Sequence, residues 1–505
     1  MSFNSPFYAL FLFIIAVIYW GIPAQIELRL WLILASSLIF YSSLQWYYIP
    51  LFLVITAINW QLGKSLTPTK SSSSAPASQN QQHHQNHQRK KFLLGLGIAL
   101  NILVLVGFKY IPFFLGSIAS LYQQFTGFPL EVTQNSSQWV MDNLVVPLGI
   151  SFFTFESIAY LVDSFKGQIS SGSLLQFTAY KLFFPKFISG PITPYDDFYR
   201  QVKQQSPPQL YQLSEAVWLI TIGIIKKALL ADRLGILVDL CFSNAERAGS
   251  VDLWLGIIAY GFQLYLDFSG YVNMARGSAM LLGFNLPENF DFPYFSTSIG
   301  DFWRRWHMTL GSWLRQYLYF PLGGSRVGLA RTCSNLIVVM LIAGIWHGAA
   351  WGFLVWGGLH GLALALHRLT DILSRQSPSL QKFWQHPGGV LLAWFLTQSM
   401  VFLTWVFFRL PNLEQSGLVL SHLWGHQGDI QFAEQVYQGS IGLDPLQLLT
   451  LMAILWSFLT LNFCLERTLK LQLNWHLKLF LIPLVLLSVW LLAPEGGLPY
   501  IYFDF

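Results

Sequence analysis

Charge is scarce in this chain. Asp, Glu, Lys and Arg make up only 10% of its 505 residues, and 54% are hydrophobic. An average soluble domain carries about 25% charged residues. This balance excludes a water-soluble globule, which would have to expose a very large apolar surface. Cysteine is scarcer still. Cys241, Cys333 and Cys464 lie far apart, in or beside apolar segments, with no CxxC or Cys/His spacing. Neither a disulfide framework nor a structural zinc site can be read from them, and all three are expected to be small buried hydrophobes. The sequence also lacks a G-x-S-x-G elbow, an H-E-x-x-H pair and a P-loop. That argues against serine-triad hydrolysis, zinc proteolysis and P-loop nucleotide chemistry. The net charge of +5 is not a nucleic-acid footprint. The basic residues sit in short clusters between apolar runs, as in a positive-inside membrane protein.

What the chain has in quantity is apolar length. About twelve apolar runs, from 7–22 to 477–493, are candidate membrane spans, and several are shorter than the roughly 20 residues a straight spanning helix needs. Phe7–Trp20 has no Lys or Arg before it. A secretory signal needs a positive n-region, so this stretch is read as a retained first span. The loops set an orientation. Loop 63–91 carries Lys64, Lys70, Arg89, Lys90 and Lys91 without an acid, so it is expected in the cytoplasm. Loop 117–142 holds Glu131 and Asp142, and loop 410–445 holds Glu414, Asp429, Glu434 and Asp444. Neither holds Lys or Arg, and both are expected outside. Segments 301–331 and 368–386 are basic and belong inside, which puts both termini outside. Within loop 63–91, residues 67–88 form a Ser/Gln/Asn/His-rich stretch with His83, His84 and His87. Histidine tracts can bind metal, but so few apolar residues predict a flexible solvated linker. No internal repeat is evident. One domain over residues 1–505 is the simplest description, all-α and polytopic.

Two segments depart from simple spans. In Asp301–Tyr317, Trp303, Trp306, Leu310, Trp313 and Tyr317 recur at helical steps, with arginines between. A basic amphipathic helix of this kind usually lies in the membrane interface. His307 sits near its apolar edge and could point to the core. In Phe183–Pro194 three prolines forbid a continuous helix. Broken backbone at membrane depth survives only where it is buried in protein or lines a cavity. A re-entrant element and a surface loop are both open readings. Lys226-Lys227 and Asp232-Arg233 fall within or at the edge of an apolar run, either snorkelling or facing inward.

One residue stands apart. His347 lies inside the apolar run 336–366, flanked by Trp346 and Gly348, with Ala349, Ala350 and Gly352 close by. An ionisable side chain at membrane depth marks a functional site by default. Small neighbours let helices or ligands come close. A neutral imidazole there can act as general base toward a hydroxyl. It could equally bond a neighbouring helix, or relay protons in a transporter. His360 and His367 are read as structural.

Several blocks, spanning residues 147–348, resemble the bacterial branch of the membrane-bound O-acyltransferase family. They are Pro147–Phe155, Phe184–Pro191, Gly223–Asp232, Tyr265–Tyr271, Asp301–His307 running on to Pro321–Gly324, and Gly344–Gly348. The ending Tyr500–Phe505 is similar too, although Asp504 stands where that branch usually has Gln. The likeness is close to the alginate-acetylating members and looser to those that transfer D-alanine to teichoic acid.

The resemblance implies about 11–12 transmembrane helices in a ring around a central funnel, with re-entrant and interfacial helices. It implies a bacterial inner-membrane enzyme with His347 catalytic and His307 at the second signature position. It places the acyl donor, acetyl-CoA or a carrier-protein thioester, on the cytoplasmic side, with no bound cofactor or metal. A polysaccharide acceptor and a periplasmic or extracellular partner protein would approach from the other side. Arg304 and Arg305 could attract the anionic donor, and anchoring through lipid phosphates would explain them as well. A transporter with His347 as proton relay and a non-catalytic scaffold of polysaccharide export remain the alternatives.

Overall fold

The computed structural model describes residues 1–23, 25–67, 79–127, 145–169, 172–204, 206–494 and 496–503, with backbone alone for 79–84. Glu131, Asp142 and Asp504, and the side chains of His83 and His84, lie outside the described residues. The described residues form helices and turns without a strand, apart from an isolated bridge between Phe290 and Trp306. The chain clusters into two compact units, residues 1–209 with 278–287, and residues 210–277 with 288–505.

In the first unit, α1 (Pro6–Gly21), α2 (Ile26–Gln45), α3 (Ile49–Leu66), α4 (Gln79–Lys109) and α5 (Ile111–Thr126) precede α6 (Ile150–Phe165), α7 (Leu174–Lys181) and α8 (Tyr195–Lys203). Local chemistry sets their ends. Ser5 caps α1 by accepting from the Tyr8 amide, and Pro6 takes the first turn, where a missing N–H does no harm. Ser173 and Gln176 close a capping box on α7. Helix α4 begins at Gln79, so residues 79–91 of the basic loop are helical, while 68–78 lie outside the described residues.

Between α7 and α8, residues 183–194 are not helical, and Phe183, Phe184, Lys186, Phe187 and Ile188 are all buried. The three-proline segment is therefore interior rather than a surface loop. Its freed backbone groups find partners, as interior backbone must. Ser37 Oγ accepts from the Phe184 amide at 3.1 Å, and Thr193 O accepts from Tyr180 Oη at 2.8 Å.

In the second unit, α9 (Leu210–Ile224), a π turn (Ile225–Ala231) and α10 (Asp232–Ser243) run on continuously. Helix α11 (Ser250–Leu281) follows, its last turn clustering with the first unit. Next come α12 (Ile299–Arg305), α13 (Met308–Leu314), α14 (Leu329–His347), α15 (Trp351–Gln376), α16 (Pro378–Gln385), α17 (Pro387–Arg409), α18 (Leu413–His422), α19 (Pro445–Phe463) and α20 (Trp475–Leu492).

Among the described residues, six segments are long and apolar enough to cross a membrane: Ile26–Leu66, Gln85–Lys109, Leu329–His347, Pro387–Arg409, Pro445–Thr468 and Trp475–Leu492. The first comprises both α2 and α3. The protein is an all-helical, polytopic membrane protein. Lipid offers no hydrogen bonds to backbone, and helices satisfy theirs internally.

Helices α14 and α15 form a tight hairpin. A Cβ on Gly344 would lie 2.2 Å from the Phe353 carbonyl oxygen, and one on Gly357 would lie 2.4 Å from that of Met340. Only glycine admits this approach, which agrees with the small-residue pattern read around His347. Gly357→Ala is expected to push the two backbones apart at a cost of about 1–3 kcal/mol. A lowered thermal midpoint of the purified protein, with a sharp transition, would show it.

Candidate functional site

His347 is the last residue of α14, and the chain leaves the helix through an extended Gly348. The imidazole is 3% exposed. Its neighbours are aromatic. Ring centres lie 4.8 Å away at Trp346, 5.0 Å at Phe408 on α17, 5.2 Å at Trp356 on α15 and 6.0 Å at Tyr502. The Trp356 contact is edge-on, with the planes at 88°. Trp356 Nε1 is buried with no hydrogen-bond partner among the described residues.

The resemblance implied a funnel opening on His347. Side chains pack closely on the imidazole. One small cavity is lined by Ser37, Tyr41, Phe52 and Phe187, another by Tyr265, Pro293, Tyr294 and Leu459, and neither includes His347 or His307.

His307 departs from the single amphipathic helix expected over 301–317. The helix stops at Arg305, and α13 starts at Met308. Between them His307 takes a left-handed backbone, φ 44 and ψ 55. That conformation is uncommon for a residue with a Cβ, and it turns the chain. Asn289 holds the turn from outside. Its carbonyl accepts from the Met308 amide at 2.9 Å, and its Oδ1 accepts from the Thr309 amide at 3.0 Å and from Thr309 Oγ1 at 2.6 Å. Trp306, His307 and Leu310 are buried in consequence. A peripheral surface helix would leave His307 in water. Instead it is 1% exposed, and burial pushes its imidazole down to about 3, so it is neutral at physiological pH.

The two histidines meet the same pair of residues. His307 lies 6.2 Å from Trp346 and 6.1 Å from Tyr502, ring centre to ring centre, and 4.9 Å from Phe268 on α11. Tyr502 in turn stacks on Phe268 at 3.8 Å. Tyr502, Phe268 and Trp356 were not singled out from the sequence. Phe268 and Tyr502 lie inside the quoted blocks Tyr265–Tyr271 and Tyr500–Phe505, and Trp356 follows the histidine motif, so the residue types were visible but their convergence was not.

Arg304 and Arg305 share a carboxylate. Asp301 pairs with Arg304 at 3.3 Å and with Arg305 at 2.8 Å. The Arg304 side chain is 69% exposed, and that of Arg305 is partly covered.

His360 is a structural tie. Its Nδ1 accepts from Trp303 Nε1 at 3.2 Å, and its Nε2 lies 2.9 Å from Thr404 Oγ1, whose own proton goes to Val401 O. With Trp303 donating to Nδ1, the ring proton sits on Nε2 and donates to Thr404, so both nitrogens are occupied. His360→Leu is expected to lower stability by about 1–3 kcal/mol, because it leaves Trp303 Nε1 without its acceptor. Any transfer activity per folded molecule should survive. Thermal unfolding measured beside activity separates the two effects.

The described residues contain no group of three His, Cys, Asp or Glu side chains able to hold a metal ion.

The sequence profile of the membrane-bound O-acyltransferase family matches residues 79–408. The chain is 35% identical over 427 residues to a peptidoglycan O-acetyltransferase of Helicobacter pylori, covering 79% of this chain and 74% of that one. It is 35% identical over 416 residues to a probable alginate O-acetylase of Azotobacter vinelandii, covering 82% and 76%. It is 31% identical over 300 residues to a teichoic acid D-alanyltransferase of Streptococcus thermophilus, covering 55% and 71%.

Proposed function

Since the chain belongs to the membrane-bound O-acyltransferase family and is an O-acyltransferase, we propose that it moves an acetyl group from a cytoplasmic thioester to hydroxyls of an extracytoplasmic polysaccharide. The donor would be acetyl-CoA or a carrier-protein thioester, and the site the inner membrane of a bacterium. His347 is the general base. It takes the acceptor's hydroxyl proton as the oxygen attacks the thioester carbonyl. Collapse of the tetrahedral intermediate breaks the C–S bond, and the imidazolium returns the proton to the departing sulfur. His307, neutral and held by the Asn289 turn, helps to position the reacting groups. Trp356 Nε1 is a donor available to the developing oxyanion.

The observation that carries this reading is the shared setting of His347 and His307, two buried imidazoles touching the same Trp346 and Tyr502. A solvent-excluding aromatic wall suits a thioester that must not be hydrolysed. Arg304, exposed and only partly neutralised by Asp301, is the better placed of the two arginines to draw in an anionic donor. Relatives named for alginate, peptidoglycan and teichoic acid support an extracytoplasmic polymer as the acceptor. An extracytoplasmic protein that completes delivery to the polymer is the expected partner.

The test is acetyl transfer in proteoliposomes. Acetyl-labelled acetyl-CoA supplied on one face should label a soluble polysaccharide, or the partner protein, on the other. Polymer O-acetylation that is the same in cells with and without the gene would refute the reading.

A further inference from the structure

Three buried charges in the second unit have no part in the chemistry above. Lys227, on the π turn, donates from Nζ to Asp267 Oδ1 at 2.6 Å and lies 2.9 Å from Asp232 Oδ1. All three side chains are almost wholly buried. Replacing such a cluster by apolar residues is often neutral or stabilising, so stability alone is a weak reason for it. Its remaining hydrogen bonds are more informative, because they all go to one strip of chain. Asp232 meets the backbone N–H of Leu498. Lys227 Nζ donates to the Pro499 carbonyl at 2.9 Å, with its ammonium 4.6 Å from the Tyr500 ring centre. Asp267 Oδ2 accepts from the Ile501 amide at 3.1 Å. Each member therefore grips a different backbone group of Leu498–Ile501. Proline at 499 withdraws no donor that the cluster uses. The next residue is Tyr502, which stacks on Phe268 and faces both histidines.

We propose that Lys227, Asp232 and Asp267 are positioning residues that pin Leu498–Ile501 and so fix Tyr502 as the wall shared by His307 and His347. None of the three touches a reacting atom. Backbone tethering by charge-assisted bonds suits this task, since it sets the strip's height independently of its side chains. A catalytic wall needs placement to within about half an ångström. The activity arm of the test rests on the acyltransferase reading, and the exchange arm does not.

Ile501→Pro removes the N–H that Asp267 holds and leaves the charges intact. Proline is tolerated at the start of the short turn Ile501–Phe503. Lys227→Met removes the cation, and Ile501→Val keeps the N–H as the conservative control. Hydrogen exchange of the full-length protein is read on the peptide covering 496–503, beside transfer kinetics.

In Ile501→Pro and Lys227→Met, exchange of that peptide should quicken about tenfold or more. In both, kcat should fall about 10–100-fold with the donor KM within about twofold. Ile501→Val should match the parent in both readouts. Unchanged exchange in Ile501→Pro would overturn the tether, and quickened exchange with unchanged kcat would overturn its positioning role. If Lys227→Met fails to fold, Ile501→Pro decides alone. Full transfer by His347→Ala would refute the general-base reading, whereas the exchange result would still judge the tether.

Discussion

His347→Ala will lose acetyl transfer by about 10²–10⁴-fold, the range a general base supplies. The loss should fall on kcat, with the donor KM little changed, because a base acts on the proton in the transition state rather than on donor binding. Insertion should persist. His347 ends its helix and packs edge-on against rings. The variant must therefore be judged per folded molecule, by size-exclusion profile and thermal midpoint beside acetyl release. His360→Leu is the matched control, since it also removes a buried imidazole from the same hairpin, one whose two nitrogens bond Trp303 and Thr404. Activity lost in His347→Ala and kept in His360→Leu assigns the chemistry to one ring. Equal loss in both would mean that the hairpin fold, and not a base, had been measured.

The parts of this structure that were legible in the sequence are those governed by local rules. Apolar length gave helices of spanning size. Gly348, Ala349, Ala350 and Gly352 marked the surroundings of His347 as small, and the helices close tightly nearby at Gly344 and Gly357. Three prolines in 183–194 predicted broken backbone, and the structure decides between its two open readings in favour of burial. The period-based reading failed at His307. Trp303, Trp306, Leu310 and Trp313 keep helical spacing across the break, and a single left-handed residue leaves no trace in a pattern of hydrophobicity. The turn that fixes it depends on Asn289, eighteen residues away in sequence.

The same limit hid the tether. Gly223–Asp232, Tyr265–Tyr271 and Tyr500–Phe505 were each recognisable as blocks, but nothing in any one of them says that Lys227, Asp267 and the backbone of 498–501 share one point. Sequence alone allows Lys227 either to snorkel or to face inward. The structure answers with an ion cluster.

The second large effect concerns the first unit, one residue beyond the block that ends at Phe155. Glu156 lies between two ammonium groups, 2.5 Å from Lys186 Nζ and 3.8 Å from Lys181 Nζ, and its Oε1 also accepts from the Thr193 amide at 3.3 Å. Lys181 donates to the Phe153 carbonyl at 2.7 Å. All three side chains are buried. Glu156→Ala would leave two interior cations without an anion and release one end of the proline-broken segment. Removing one partner from a buried pair costs about 3–5 kcal/mol, a large share of the roughly 5–15 kcal/mol that holds a typical domain folded. The expected result is a sharp fall in detergent-extracted, monodisperse protein, beyond what substitutions at His347 cause.

A mere cavity would give a smaller loss, and a second substitution tells the two apart. Lys186→Met in the Glu156→Ala background removes one stranded charge and should restore part of the yield, whereas a cavity effect would leave the double variant no better than the single. Glu156→Gln should fall between, because an amide oxygen can still accept from Lys186 while the charge is gone. Recovery in that order would show that charge balance, rather than volume, keeps residues 183–194 inside.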